Sequence, residues 1–236
     1  MRRLTTSIAA VLGLALFLPS TASAQQQVNF FLGGFMPRTL DARGNDDVLV
    51  QDSAILATFD QSNGINVSDL NGFTFGGEWL VGLGPMFEAG ASLGYYGKTV
   101  TTSYADFTDQ SGGEITQDLR LRVVPFTATV RWLPLGRHGV TPYIGGGVGV
   151  FAFRYTETGN FVDFTDNTIY PANFVGSGTA TGPVVLGGVR IPVGSAVVGA
   201  EIRYQNAKGD LPTDQFLGSK IDLTGFNYLV TIGYRF

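Results

Sequence analysis

The chain contains a single histidine, and that limits its chemistry. A Ser-His-acid or His-Asp hydrolytic set needs an imidazole held beside its partners, and His138 is the only candidate. It lies in Leu135-Gly136-Arg137-His138-Gly139, a turn-forming stretch, and reads as a solvated turn residue. One histidine excludes a two-histidine metal site within the chain. The absence of cysteine excludes a disulfide scaffold and a cysteine–zinc site. Gly145-Gly146-Gly147 has the glycines of a phosphate loop but lacks the Lys-Ser/Thr ending, so it reads as strand packing. The carboxylates of Asn45-Asp46-Asp47 and Asp163-Phe164-Thr165-Asp166 do not match EF-hand spacing. The expectation is a non-enzyme with no catalytic, cofactor-binding or metal-binding residues.

The charges that recur with a regular spacing are Glu78, Glu88, Arg120, Arg122, Arg190, Glu201 and Arg203. They interleave with apolar residues at period two, which places them on the minority face of extended segments. Eight such segments can be read, at about Val28–Met36, Phe73–Val81, Met86–Lys98, Asp118–Trp132, Pro142–Arg154, Pro183–Pro192, Val197–Gln205 and Ile221–Phe236. In the fourth, Leu119, Leu121 and Val123 are apolar before Pro125, and Phe126, Ala128, Val130 and Trp132 after it. That phase change predicts a bulge near Val124-Pro125. The glycine run leaves the facing of the fifth segment open. Long polar connections follow segments one, three, five and seven, at about 38–71, 101–117, 155–182 and 206–220. Short turns follow two, four and six. This rhythm predicts an all-β, eight-stranded, antiparallel, up-and-down transmembrane β-barrel with short periplasmic turns and long outer loops.

Composition narrows the class further. Of 236 residues only 14% are charged, against about 25% in ordinary soluble domains, while the hydrophobic share is an ordinary 44%. A pI near 4.9 speaks against nucleic acid as a partner. The N-terminus has the parts of a secretory signal peptide. Arg2 and Arg3 precede an apolar run from Ile8 to Leu18, and Ala22-Ser23-Ala24 is a cleavage site. General secretion fits better than twin-arginine export, because Leu4-Thr5-Thr6 continues the arginine pair poorly. Residues 1–24 are therefore expected to be removed at Ala24, leaving 25–236 as one barrel domain.

A soluble barrel and a membrane barrel both alternate, so the minority face decides between them. Gly76, Gly90, Gly94 and Gly199 stand among its charges. Such a face makes a poor solvent surface but a suitable narrow lumen, where charges from opposite walls can pair. Lys98, Arg120, Arg122 and Arg154 fall toward the outer end and could attract anions in an open path; a lumen plugged by ion pairs is the favoured alternative. Trp79, Phe87, Tyr95, Trp132, Tyr143, Tyr204, Tyr228 and Tyr234 fall near strand ends, as interfacial girdles require.

The chain ends Phe226-Asn227-Tyr228-Leu229-Val230-Thr231-Ile232-Gly233-Tyr234-Arg235-Phe236. This resembles the terminal signature of bacterial outer-membrane barrels that the barrel-assembly machinery reads, with Ile232, Tyr234 and Phe236 as the recognition positions. Thr141 to Gly149 and Asn29 to Phe35 are similar to strands of uncharacterised "outer membrane protein beta-barrel domain" members. The whole mature chain resembles the small eight-stranded OmpA/OmpX-type barrel superfamily. That resemblance implies the bacterial outer membrane, with its lipid and lipopolysaccharide as partners, and does not fix an activity. Enzymatic barrels of this kind work at the outer rim, and His138 falls in a predicted periplasmic turn.

The expected function is therefore a monomeric structural or surface-interaction barrel acting through acidic outer loops. These carry Asp41, Asp46, Asp47, Asp52, Asp60, Asp69, Asp106, Asp109 and Glu114. They form either a solvated rim or divalent-cation bridges to anionic lipopolysaccharide. The alternative function is a narrow, OmpW-like, porin-like channel for small or hydrophobic solutes.

Overall fold

The structure, a computed structural model, describes residues 25–59, 65–137 and 139–236. Asp60, His138 and the expected signal peptide with its cleavage residue Ala24 lie outside them. In chain order the strands are β1 (Gln26–Pro37), β2 (Leu56–Thr58), β3 (Gly72–Gly82), β4 (Phe87–Thr108), β5 (Glu114–Trp132), β6 (Thr141–Asp163), β7 (Thr168–Val193), β8 (Ala196–Gln205), β9 (Lys208–Asp210), β10 (Lys220–Asp222) and β11 (Gly225–Arg235). Eight of them close a ring. The order β4-β3-β1-β11-β8-β7-β6-β5 is joined end to end by the β4–β5 pairing, all antiparallel. Closure leaves no long open edge. The short β2 extends the outer end of β4, and β9 and β10 pair with each other in the last outer connection.

The barrel strands from β4 to β7 run well beyond the predicted segments. At about 3.3 Å per residue and about 40° of tilt, the 23-residue β6 climbs about 58 Å, roughly twice a ~30 Å hydrocarbon layer. The stretches read as polar loops at 101–117 and 155–182 are largely strand. Their outward faces are mostly polar, with Thr101, Thr158, Asn160, Asn173, Ser177 and Thr179 exposed, because they stand above the lipid.

The inside and outside exchange character at that level. On β5 the outward positions are Asp118, Arg120 and Arg122 above, then Val124, Phe126, Ala128, Val130 and Trp132 below. The inward positions are Leu119, Leu121 and Val123 above, then Thr127, Thr129 and Arg131 below. The β5–β6 register is continuous from Gln117–Gly159 to Trp132–Ile144. The expected bulge at Val124-Pro125 is therefore absent, and the apolar set changes face because the surroundings change. Below, lipid takes the apolar side chains; above, water takes the polar ones and the lumen becomes a dry core.

That upper core joins Phe35, Tyr96, Leu119, Leu121, Val123, Phe151, Phe153 and Tyr155 of the wall to Val48, Leu49, Leu56, Ile65 and Leu70 of the first outer connection. A helical turn, Val48–Asp52, carries two of these residues into the mouth. Its N-cap is Asp47, whose carboxylate accepts from the Leu49 N–H at 3.1 Å.

Candidate functional site

In the lipid-level layer the inward side chains form an ion-pair network. Arg131 on β5 bonds Glu78 of β3 and, at 2.7 Å, Glu201 of β8. Arg203 reaches the other oxygen of Glu201 at 2.6 Å and Glu78 at 3.4 Å. Arg190 of β7 holds Glu88 of β4 at 2.7 Å, and Arg137 approaches the same carboxylate at 3.7 Å. The Tyr143 hydroxyl donates to Glu201 at 3.0 Å, while its ring lies 4.8 Å from the Arg131 guanidinium and 5.0 Å from that of Arg190. Asn29 donates to the second oxygen of Glu78. All four carboxylate oxygens of Glu78 and Glu201 are thus hydrogen-bonded, which buried charge requires. Gly145 lets the β5 backbone approach closely beside Arg131: a Cβ there would stand 2.5 Å from the Val130 carbonyl oxygen and 3.0 Å from the Arg131 Cγ.

Glu78, Glu88, Arg190, Glu201 and Arg203 occupy the lumen. Arg120 and Arg122 do not, and this corrects the sequence expectation. Both point outward above the lipid, because β5 keeps one phase through Pro125. Lys98 is inward-facing and half-buried, while Arg154 is outward and exposed. Arg131, the hub, stands outside the charge set that the sequence pattern marks. It was legible there, since Val130 and Trp132 flank it as lipid-facing residues. Tyr143 is a second correction: it faces inward, at 2% exposure, and belongs to no girdle. Trp79, Phe87, Tyr95, Trp132, Tyr228 and Tyr234 are exposed and Tyr204 is half-buried. Ile232, Tyr234 and Phe236 stand exposed on the outer face of the closing strand.

Above the network a second set of polar contacts fastens the cap. Asp47 accepts from Arg43 with both oxygens at 3.1 Å and from the Asp222 N–H at 2.6 Å. Arg38 reaches Asp222 at 2.7 Å and Lys220 reaches Asp46 at 3.1 Å. The first and last outer connections are thereby laced together. Burial raises the Asp47 carboxyl above its ordinary value, against the pull of Arg43. The exposed Asp46 is lowered by its hydrogen bond from Lys220.

Beside the cap lies a cavity of about 350 Å³, lined by Asp52, Glu157, Tyr104, Phe161, Phe174 and Phe216 among others. The Tyr155 hydroxyl donates to Asp52 at 3.1 Å, and Glu157 Oε1 has no hydrogen-bond partner among the described residues. Burial pushes Asp52 up to about 7, opposed by hydrogen bonds to Tyr155 and Glu157; burial and the neighbouring Asp52 charge push Glu157 up to about 9. The pair can hold a proton and bond a polar group between aromatic walls. No histidine among the described residues stands by it to activate a nucleophile.

The predicted acidic rim divides. Asp41, Asp46, Asp106 and Glu114 are exposed; Asp69 and Asp109 are half-buried; Asp47 and Asp52 are buried structural groups. Asp69 accepts from Thr58 Oγ1 at 2.9 Å. Asp109 closes the β4–β5 tip, and its pKa is lowered by the hydrogen bond from the Ser111 hydroxyl and then by those from the Gly113 and Ser111 N–H groups. Asp163 and Asp166 are exposed at the β6–β7 tip. Among the described residues no group of three or more histidine or carboxylate side chains is placed to hold a metal ion.

No family model and no curated protein matches the chain. Solved structures do. The outer membrane protein OprG from Pseudomonas aeruginosa superposes with a TM-score of 0.52 at 11% identity, over 90% of this chain and 96% of that one. Neisserial surface protein A matches at 0.45 and 11%, over 90% and 97%. The outer membrane protease OmpT from Escherichia coli matches at 0.45 and 11%, over 93% and 99%. The last two scores carry no argument, and the likeness to OprG establishes fold alone. Together with the apolar belt and the closed ring, it gives this chain the fold of an eight-stranded outer-membrane β-barrel.

Proposed function

We propose that the protein is a closed, non-enzymatic barrel of the bacterial outer membrane that works through its ordered outer head, making contacts at the cell surface. One observation carries the reading: the lumen is filled at two levels, by the Arg131–Glu201 network in the lipid layer and by the capped apolar core above it. A filled lumen favours a structural or contact role over conduction. A head with its own core presents the hairpin tips, with Asp106, Glu114, Asp163 and Asp166, in fixed positions. Their charge suits a cationic partner surface.

Two measurements test this. Protein purified from outer membranes and placed in planar bilayers should give no steady single-channel steps. Steady steps that respond to Arg131→Ala would replace the proposal with the channel. Cells displaying the protein should bind polylysine-coated surfaces, and do so several-fold less when those four tip carboxylates become amides. Unchanged binding would overturn the contact role. Lipid A mass spectra should be unaltered by overexpression; a new lipid A species would make it an enzyme.

A further inference from the structure

The three arginines that stand outside the lumen at the outer edge of the lipid belt form a cluster of their own. Arg122 of β5 is directly opposite Arg154 of β6, and Arg120 is opposite Thr156, diagonal to Arg154. All three are outward positions. Like charges placed directly across a strand pair repel. Among the described residues none of the three forms a salt bridge. The Arg122 Nε is enclosed and has no hydrogen-bond partner among the described residues. Asp118, the only carboxylate lining the same cleft among the described residues, accepts instead from Thr101 Oγ1 at 2.6 Å. The cleft holds about 460 Å³ and is otherwise lined by Thr99, Thr156, Thr158 and Asn173, all hydrogen-bonding side chains.

Depth identifies the occupant. On the same outer face the next residues down are Val124 and Phe126 on β5, and Ala152 and Val150 on β6, exposed and apolar. The guanidinium groups therefore stand one or two outward positions above the hydrocarbon edge, at about 7 Å per position. A molecule seated there meets cations at its head and an apolar wall below. Guanidinium forks match phosphate oxygens in shape and charge.

We propose that Arg120, Arg122 and Arg154 form a binding site for the phosphate groups of an outer-leaflet glycolipid, whose acyl chains lie on the wall below. The proposal rests on the membrane reading, with the long hairpins outside. The anion neutralises the facing arginines, and Thr99, Thr156 and the Asn173 amide, whose oxygen already accepts from Thr158 Oγ1 at 2.9 Å, donate to its remaining oxygens or to the sugar. The acidic tips stand farther out, away from the lipid phosphates.

The test uses the mature protein purified in mild detergent, with native mass spectrometry against lipid A and dephosphorylated lipid A. Lipid A should bind at least tenfold more tightly, and Arg122→Gln with Arg154→Gln should remove that preference, about tenfold per lost arginine–phosphate contact. Equal binding of the two lipids by the wild type would overturn the proposal, as would a preference that survives both substitutions. Millimolar inorganic phosphate should compete weakly; full competition would make the site one for free phosphate rather than lipid. A heat-dependent shift in gel mobility reports separately whether the barrel is folded. If the double variant lacks the shift, Arg120→Gln alone, which relieves repulsion on an exposed wall, serves in its place. A wild type lacking the shift would fail the membrane reading itself.

Discussion

Arg131 Nη2 and Glu201 Oε2 meet at 2.7 Å across the lumen, from strands with two others between them along the wall. Neighbouring strands cannot make this contact, so it fixes the cross-section of the barrel as well as neutralising two charges. Arg131→Ala would leave Glu78 and Glu201 each short of a partner in a buried layer. Breaking one side of such a pair costs about 3–5 kcal/mol. The urea midpoint of the folded gel band should fall accordingly, while Asp163→Ala at the exposed tip should change stability by less than about 0.5 kcal/mol. A midpoint unmoved by Arg131→Ala would mean that the network is not holding the wall.

The cavity pair makes a prediction in pH. Asp52 and Glu157 are raised by burial above the ordinary carboxylate range near 4. Between the unfolded and folded values the folded head binds more protons than the unfolded one, so its stability falls as pH rises. The contribution is complete below about pH 4 and is lost toward pH 7 for Asp52 and toward pH 9 for Glu157. Asp46, Asp109 and Asp166 are lowered and act in the opposite sense, but only as pH falls below about 4. Amide exchange in Val48–Asp52 should therefore quicken from pH 5 to pH 8 beyond its intrinsic rate. Asp52→Asn should flatten that change. Protection that instead increases with pH would contradict the buried pair.

Much of the barrel is legible in the sequence, and β5 shows where legibility stops. Alternation of period two marks each strand, and the long-short rhythm of connections orders them. Yet alternation states only that two faces differ; what lies against each face comes from the surroundings. The same strand carries Leu121 inward above the lipid and Phe126 outward within it, and from sequence this looks like a slipped phase. That apparent slip carries Arg120 and Arg122 into the lumen on paper and leaves Arg131 out of it. The Asp52–Glu157 cavity joins residues 105 apart in the chain, on a helical turn and a strand, and no local pattern announces it.

The exchange of faces predicts two different failures on one strand. Val130 is exposed to lipid at 51%, and Val130→Arg should cost about 2–4 kcal/mol at mid-belt and impede insertion. Leu121 is buried in the upper core at 1%, and Leu121→Asp should leave the lipid-level barrel inserted while the head loosens. Heat-dependent gel mobility reads the first and protease access from outside the cell reads the second. A Leu121→Asp protein that fails to insert, with an intact head in Val130→Arg, would reverse the assignment.

Asp47 offers the sharpest handle on the cap. Its carboxylate caps the helical turn, holds buried Arg43 and takes the Asp222 N–H, so three elements depend on one side chain. Asp47→Ala removes all three contacts and leaves Arg43 without its acid, a loss of about 3–5 kcal/mol. Because the cap packs only on the upper core, the loss should open residues 38–59 to protease on intact cells without altering the folded gel band. Asp47→Asn keeps an oxygen for the Leu49 N–H and forfeits the charge, so cleavage should fall between wild type and Asp47→Ala. Equal cleavage in Asn and Ala variants would assign the effect wholly to the Arg43 ion pair. Wild-type cleavage in both would show that the apolar packing of Val48 and Leu49 holds the cap without it.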